Sequence, residues 1–222
     1  MKIAILTANL GNFDKPIEPI AQLDLDWPEE IELAFHCFTD KDFPPITGLS
    51  PRLQYRIPKL FGWEMYPGYD IYIWLDGSMS LQDPHSIIWL LEKLGNAEAA
   101  FFKHPWRDTI QEEVDHIEEK LVERNKYIVS RYDNGLHKEQ LELIKKDKEY
   151  VDDTLYASTA FIYRNTPQVQ DMLNRWWHYQ SRYYTCDQVV LPWVVDTSGI
   201  VVNEIEEDIF NNPYISLVSK HK

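Results

Sequence analysis

The stretch IYIWLDGS, residues 71–78, decides the fold. Five apolar residues in succession, without polar alternation, are typical of a strand buried on both faces of a parallel sheet. The run ends on Asp76 and Gly77, a pair that favours a turn. The pattern therefore predicts a central strand that presents a carboxylate at its carboxyl end.

Further apolar runs of this kind occur along the 222 residues. Residues 2–7 lead to Asn9 and Gly11, and residues 31–38 close on Thr39 and Asp40. Shorter strands are predicted at 99–102, 157–164 and within 200–218. Helices are predicted at 58–66, from Asp83-Pro84 to Gly95, and from about Gln168 to Tyr183 after a Thr166-Pro167 cap.

Alternating strands and helices indicate an α/β fold with a mostly parallel central sheet. A chain of 222 residues is short for two domains, so we expect one Rossmann-like domain over 1–222. Residues 108–149 have an amphipathic pattern, with apolar residues at helical spacing among charged ones. They predict an inserted, exposed helical pair, separated by a turn at 133–135, that could be removed more easily than the core. A flap over an acceptor site is the functional alternative.

The formal net charge of −14 argues against a protein whose main partner is a nucleic acid, because a phosphate backbone needs clustered Lys and Arg. A small phosphate ligand remains compatible with it. The two cysteines, Cys37 and Cys186, are interpreted as a reduced pair, with a single disulfide left open. No apolar run reaches the length of a membrane span, and the first residues suggest a strand rather than a signal peptide. These features predict a cytoplasmic protein without a transmembrane segment.

Polar residues follow three successive strands, and in open α/β sheets ligands bind beyond the carboxyl ends of the strands. They are Asn9 with Gly11, Asp40, and Asp76 with Ser78. A carboxylate and a hydroxyl at such a position suit a hard divalent cation, Mg²⁺ or Mn²⁺, which can stabilise a leaving diphosphate as a Lewis acid. The alternative is that Asp76 only caps backbone amides in the turn.

Seven segments, in order, carry a resemblance to a known family: AILTANLGNFD, FTD (38–40), RIPKL (56–60), WLDGSMSL (74–81), FFKHPWRD (101–108), STAFIYRNTP (158–167) and TCDQVVLPWV (185–194). WLDGSMSL resembles the central strand of GT-A-type glycosyltransferases, in which an Asp-containing signature holds the metal and diphosphate. The order of all seven is similar to the TOD/MUCI-like glycosyltransferase group. The resemblance implies a GT-A domain, a nucleotide-sugar donor and a glycan acceptor. Asp76 is followed by Gly-Ser instead of a second Asp, which leaves metal dependence open.

The resemblance and the chemistry together suggest roles for further residues. Arg56 and Lys59 are assigned to the donor, and Lys103 or Arg107 to its diphosphate. Lys59 could instead be a solvated charge on a helix face. His104, which could instead be structural, is a candidate catalytic residue that would hydrogen-bond sugar hydroxyls.

An inverting transfer needs a carboxylate to accept the proton of the acceptor hydroxyl. Asp187 is the first candidate for this base, against a turn or cap role, and Gln188 is assigned to the donor. Glu112 and Glu113 are second choices for the base. The aromatic residues at 176–184 suit an acceptor sugar, and His221 is a possible additional metal ligand.

We therefore expect a glycosyltransferase that moves a sugar from a nucleoside diphosphate to a hydroxyl group. A nucleotidyltransferase is the closest alternative, although the first loop, LGNFDKP, has one Gly where a Gly-rich loop would be expected. A non-catalytic glycan-binding protein is the other. The donor sugar, the acceptor, the stereochemistry and the oligomeric state stay open.

Overall fold

The computed structural model describes residues 1–11, 30–44, 46, 48–184 and 186–217. In this part of the chain, six strands form one sheet in the order β2-β1-β3-β6-β5-β7. Their bounds are β1 Lys2–Asn9, β2 Glu32–Thr39, β3 Ile71–Leu75, β5 Ala99–Lys103, β6 Tyr156–Arg164 and β7 Val202–Ile205. Two short strands, β4 (Met79–Leu81) and β8 (Ile215–Leu217), pair separately.

The sheet is mostly parallel, as predicted. β1 pairs in parallel with β2 and β3, and β5 pairs in parallel with β7. β6 runs antiparallel to both of its neighbours, β3 and β5. β3 and β5 therefore point the same way, and the carboxyl ends of all five parallel strands share one edge with the amino end of β6.

Both faces of the sheet are buried, because alternate residues of each strand enter different clusters. Tyr72 and Trp74 belong to one apolar cluster, whereas Ile71, Ile73 and Leu75 belong to the other. β1 divides in the same way. This explains why the strands read as continuous apolar runs in the sequence.

The helices have the following bounds: α1 Pro51–Met65, α2 Ser86–Leu94, α3 Ile110–Val122, α4 Lys126–Tyr132, α5 Leu136–Ile144, α6 Pro167–Tyr183 and α7 Leu191–Ser198. α6 begins where predicted, with the Thr166 side chain accepting the Val169 N–H. The prediction for α1 started too late, since Pro58 lies inside the helix and Ser50 is the N-cap. α2 begins at Ser86, after the predicted Pro84.

The region 108–149 contains three helices, which corrects the predicted pair. Asn125 accepts hydrogen bonds from the N–H groups of Tyr127 and Ile128 and so starts α4 as a separate helix. Ile110 and Ile117 of α3, and Ile144 of α5, are buried in the same cluster as Tyr72 and Trp74. The region therefore contributes to the core, which argues against the expectation that it is easily removed.

β6 is irregular at the edge where the parallel strands end. Phe101 pairs with Phe161, but the next residue, Phe102, pairs with Ala157, so residues 158–160 form a bulge. The Thr159 carbonyl in this bulge accepts the Asp76 N–H at 2.7 Å. β-Bulges commonly re-aim side chains next to functional sites, and this one brings Ser158 to the end of β3.

Two predictions about the whole chain can be compared with the described residues. Cys37 and Cys186 are not joined by a disulfide, in agreement with the reduced pair. Within the described segments, every helix is too short or too polar to span a lipid bilayer.

Candidate active site

Asp76 lies directly after β3, at the edge shared by the parallel strand ends, and its side chain is 21% exposed. Its Oδ1 atom accepts hydrogen bonds from the Tyr55 hydroxyl at 2.6 Å and the Trp74 indole N–H at 2.8 Å, and Lys59 Nζ lies 3.4 Å away. Among the described residues, none donates to Oδ2. Asp76 is thus fixed through one oxygen and has the other available for a ligand.

The Tyr55 hydroxyl is a stable hydrogen-bond donor to Asp76. Burial, together with the neighbouring Asp76 carboxylate, raises the pKa of Tyr55 well above its ordinary value. The phenol therefore stays protonated at any physiological pH, and its hydrogen bond to Asp76 persists.

Lys59 projects from α1 and is only 2% exposed. Its ammonium group has three acceptors: Asp187 Oδ2 at 2.8 Å, Ser158 Oγ at 3.3 Å and Asp76 Oδ1 at 3.4 Å. An ammonium carries three N–H donors, so its hydrogen-bonding capacity is met within the protein. Lys59 is a buried cation that bridges two carboxylates, which rules out the solvated helix-face alternative.

Asp187 is held by charged groups through both oxygens, and its side chain is 13% exposed. Arg56 Nε contacts Oδ1 at 2.9 Å, while Lys59 Nζ and the Ser158 hydroxyl contact Oδ2 at 2.8 and 3.1 Å. Burial alone would raise the pKa of Asp187, but Arg56, Lys59 and, more weakly, Arg52 hold it well below the usual range. Such a weak base accepts a proton poorly, so the geometry disfavours the predicted role of Asp187 as general base.

The cations come from one side of α1. Arg52, Arg56 and Lys59 are spaced by four and three residues, which places them on one helical face. The Arg52 guanidinium lies 4.6 Å from the ring centroid of Tyr132 and 4.9 Å from that of Tyr184. These aromatic contacts hold the first member of the row, and we call the three residues the α1 cation row.

A second network surrounds His104, which follows β5 and is buried. Arg107 Nη2 lies 3.1 Å from His104 Nε2, and Arg107 Nε donates to Glu113 at 2.5 Å. Burial, with a contribution from Arg107, lowers the pKa of His104 to about 4. His104 is therefore neutral at pH 7, and because Arg107 can only donate, Nε2 is an acceptor. The imidazole is engaged within the protein, which favours the structural alternative.

Glu113 links this network to the first one. The Cys186 thiol lies 3.6 Å from the second Glu113 oxygen, and Cys186 directly precedes Asp187. Glu113 is thus paired with Arg107, and Arg107 is committed to Glu113. Glu112, the other second-choice base, accepts the Asp108 and Thr109 N–H groups in a capping box at the start of α3. Its capping role explains why it follows Thr109 by three residues.

The predicted nucleotide-binding residues near β1 and β2 come together in part. The Gly11 N–H donates to both Asp40 carboxylate oxygens, at 3.0 and 3.1 Å, and Gly11 has φ of +66°. Asn9 is the last residue of β1 and pairs with Thr39 of β2. These contacts join the segments that follow β1 and β2, at the same edge as Asp76.

Lys103 is the last residue of β5, so it lies at the edge where the parallel strands end. Its ammonium is 3.4 Å from both Glu204 and Glu206, and these carboxylates, Glu204 first, raise its pKa. Because two acidic residues already match its charge, the structure disfavours the predicted pairing of Lys103 with a diphosphate. Gln188 lies half-buried in the single turn Asp187–Val189, and Ser78 is buried two residues after Asp76.

The aromatic residues predicted to form an acceptor platform at 176–184 are buried or half-buried, with Trp177, Tyr179 and Tyr184 in the half-buried group. Trp176 is fully buried, and Tyr183 is nearly so, because their apolar spacing turns them toward the sheet. Among the described residues, Trp106 is an exposed ring near the strand-end edge, with 69% of its surface accessible. It stacks on Phe210 with a centroid distance of 5.6 Å and an interplanar angle of 15°.

The donor set does not fit the predicted divalent metal. Within the described segments, no group of three or more His, Cys, Asp or Glu side chains is placed to hold an ion. Mg²⁺ demands near-octahedral oxygen ligands, whereas the two carboxylates here are bridged by Lys59. Among the described residues, Ser78 is buried and Asp76 offers one available oxygen, so an ion here would depend for its other ligands on the substrate and water. His221 lies outside the described residues.

Sequence reasoning missed three contributors to the site: Tyr55, Trp74 and Ser158. Tyr55 precedes Lys59 by four residues, so its presence on the same helical face was a usable signal. Ser158 depends on the β6 bulge, which no local pattern reveals.

A cavity of about 280 Å³ opens between β6, α7 and β7. Its described lining includes Asp153, Asp196 and Glu204, and no basic residue. Three carboxylates repel a diphosphate, so the cavity does not compete with the Asp76 site for such a donor.

The model of the TOD1/MUCI70 glycosyltransferase-like domain matches residues 49–216. That range includes α1, Asp76, Ser158 and Asp187 and exceeds half of the chain. The protein is thus glycosyltransferase-like, and it belongs to the TOD1/MUCI70 glycosyltransferase-like domain family.

The solved structures that match this chain include a glycosyltransferase. It is described as the crystal structure of a glycosyltransferase involved in the glycosylation of the major capsid of PBCV-1. The two chains share 9% identity with a TM-score of 0.46, over 92% of this chain and 81% of that one. A search of curated protein sequences gives no match.

Proposed function

We propose that this protein transfers a glycosyl group from a nucleoside-diphosphate sugar to a hydroxyl group of a glycan. The observation that carries the proposal is the buried charge cluster of Lys59, Asp76 and Asp187 at the carboxyl edge of the sheet. Ligands of open α/β sheets bind at that edge. Membership of a glycosyltransferase-like family supports the same reaction class.

The α1 cation row supplies the electrostatics of the transfer. Arg52, Arg56 and Lys59 carry three positive charges against the two negative charges of Asp76 and Asp187. The cluster therefore has a net positive charge in a partly dehydrated place. When the sugar–phosphate bond breaks, negative charge builds up on the diphosphate, and fixed positive groups stabilise it.

Asp76 is the residue we assign to direct contact with the donor. Its available Oδ2 is an acceptor and suits a hydroxyl group of the ribose or the sugar. Asp187 has a different role, since it holds Arg56 at 2.9 Å and Lys59 at 2.8 Å. It also accepts a hydrogen bond from the Ser158 hydroxyl at 3.1 Å. We describe Asp187 as a positioning residue.

We assign Trp106 to the binding of the acceptor glycan. Its ring is exposed and backed by Phe210, so one face is free to cover the apolar face of a pyranose. The loops that carry Trp106 and Phe210 follow β5 and β7, at the same edge as Asp76. This placement supports a donor and an acceptor that bind at the same edge of the sheet.

Calorimetric titration with UDP and GDP, followed by mass spectrometry of reactions with nucleotide-sugars and mixed oligosaccharides, tests the proposal. We expect diphosphate binding and a product heavier than the acceptor by one sugar. A ligand at about 100 times its dissociation constant should also add about 2.7 kcal/mol to the free energy of unfolding.

The two alternatives give different results in these assays. A nucleotidyltransferase would form nucleotide-sugar from a sugar phosphate and a nucleoside triphosphate, with release of pyrophosphate. A glycan-binding protein would bind oligosaccharides and ignore UDP and GDP. Either outcome would replace the proposed function.

A further inference from the structure

A cation bound between the carboxylates of Asp76 and Asp187 would be stabilised by both negative charges. The Lys59 ammonium group occupies this position. Lys59 Nζ lies 2.8 Å from Asp187 and 3.4 Å from Asp76. The two carboxylates are contributed by segments far apart in the chain, one after β3 and one after α6. The ammonium is therefore what joins them.

Lys59 is built into this position. Besides the carboxylates, it donates to the Ser158 hydroxyl, and the Trp176 ring centroid is 5.8 Å from Nζ. α1 is anchored by its Ser50 cap, which also receives the Tyr184 hydroxyl at 2.5 Å. A side chain that is 2% exposed and satisfied in all three donors does not leave its place readily.

The surrounding charges oppose a divalent ion at the same point. Arg56 Nε is 2.9 Å from Asp187, so a second cation already occupies the other carboxylate oxygen. A metal ion there would need to displace Lys59 and would face the Arg56 guanidinium. With Asp187 engaged by Arg56 and Lys59, Asp76 Oδ2 is the one carboxylate oxygen of this pair that remains available, so a metal ion would depend for its other ligands on the substrate phosphates and water.

We infer that the buried Lys59 ammonium replaces the divalent cation of the donor site, so that donor binding and transfer do not require a metal. The inference rests on the proposed function. The positive charge opposite the diphosphate then comes from the α1 cation row. Without a metal in between, Asp76 would repel a phosphate, and its Oδ2 therefore accepts a donor hydroxyl.

The first test titrates UDP and GDP into chelator-treated protein, in buffer with EDTA and in buffer with excess Mn²⁺. We expect affinities in the two buffers that agree within about threefold, and transfer rates that agree equally well. Electron paramagnetic resonance of Mn²⁺ mixed with protein and diphosphate should show no more bound ion than diphosphate alone produces.

Lys59→Met and the control Lys93→Met complete the test. Lys93 pairs with Glu207 away from the site. Lys59→Met should lower diphosphate affinity by at least about tenfold with or without Mn²⁺, whereas Lys93→Met should match the wild type. If Lys59→Met does not fold, Lys59→Arg, which keeps the charge, should retain metal-independent binding.

The outcomes separate this inference from the function on which it rests. Diphosphate binding that appears only with Mn²⁺ would overturn the inference and leave the proposed function standing. Mn²⁺ bound by the protein–diphosphate complex, and lost in His221→Ala or Asp76→Asn, would overturn it in the same way. No binding of UDP or GDP under either condition would overturn the proposed function and the inference together.

Discussion

Replacing Asp187 with Asn tests whether the charge cluster is a structural unit. Asn keeps the shape of the side chain but removes the negative charge that faces Arg56 and Lys59. Removing one partner of a buried ion pair costs about 3–5 kcal/mol, because the remaining charge is left uncompensated. For a chain of this size, 1 kcal/mol corresponds to about 2–4 °C, so the melting temperature should fall by about 6–20 °C.

Urea unfolding followed by circular dichroism at pH 7 measures the effect. A shift of the midpoint at constant slope reports a change in the free energy of unfolding. Glu32→Gln is the matched control, because the Lys2–Glu32 pair has a similar length, 2.8 Å, but is exposed. The control should lose less than about 1 kcal/mol.

The pH dependence gives an independent check with a defined sign. The pKa of Asp187 is lowered in the folded protein, so its stabilising contribution is complete above the unfolded carboxyl pKa of about 3.9. It is lost as the pH falls from there toward the folded pKa. The gap between wild type and Asp187→Asn should be constant from about pH 5 to 8 and narrow below about pH 4. A gap under about 1 kcal/mol at pH 7, or one that widens in acid, would refute the reasoning.

Three further predictions concern other parts of the molecule. Trp106→Ala should raise the acceptor KM by about tenfold with unchanged UDP affinity and stability; an unchanged KM would remove Trp106 from the acceptor site. His104→Gln should reduce the loss of the free energy of unfolding in acid. A His with a folded pKa of about 4 lowers the stability of the wild type by about 3 kcal/mol between pH 7 and pH 4. If the free energies of wild type and variant fell in parallel with pH, the lowered pKa would be contradicted. Ile117→Ala, in the buried part of α3, should cost about 2–5 kcal/mol in urea unfolding, against less than about 0.5 kcal/mol for exposed Val122→Ala; equal losses would mean that α3 lies outside the core.

The strands were predictable because strands buried on both faces consist of consecutive apolar residues. Both bounds of β3 agree with the apolar run 71–75, since a central strand has no solvent-facing side to interrupt it. The reversed direction of β6 has no such local signal, because its composition resembles that of its parallel neighbours. The predicted start of α1 was too late because a proline often marks the first turn of a helix. Pro58 lies inside α1, and the N-cap is Ser50, eight residues upstream.

The site was predictable in its residues but not in their partnerships. The strand-end rule selected Asp76, and helical spacing relates Arg56 to Lys59. The contact between Lys59 and Asp187 spans 128 residues, so only the tertiary fold shows that the predicted base is tied to the predicted donor cation. Composition also cannot distinguish a buried Trp176 from an exposed Trp106.

The most direct test of the account is nucleotide-sugar turnover by wild type, Asp76→Asn and the exposed-carboxylate control Asp171→Asn. The assay measures diphosphate release and glycosylated product by mass spectrometry, with folding checked by circular dichroism. We predict turnover by the wild type and the control, and a folded Asp76→Asn variant that is slower by about 100-fold or more, the scale of losing a group at the reacting centre. A folded Asp76→Asn variant that keeps half or more of the wild-type rate would contradict the assignment of glycosyl transfer to this site.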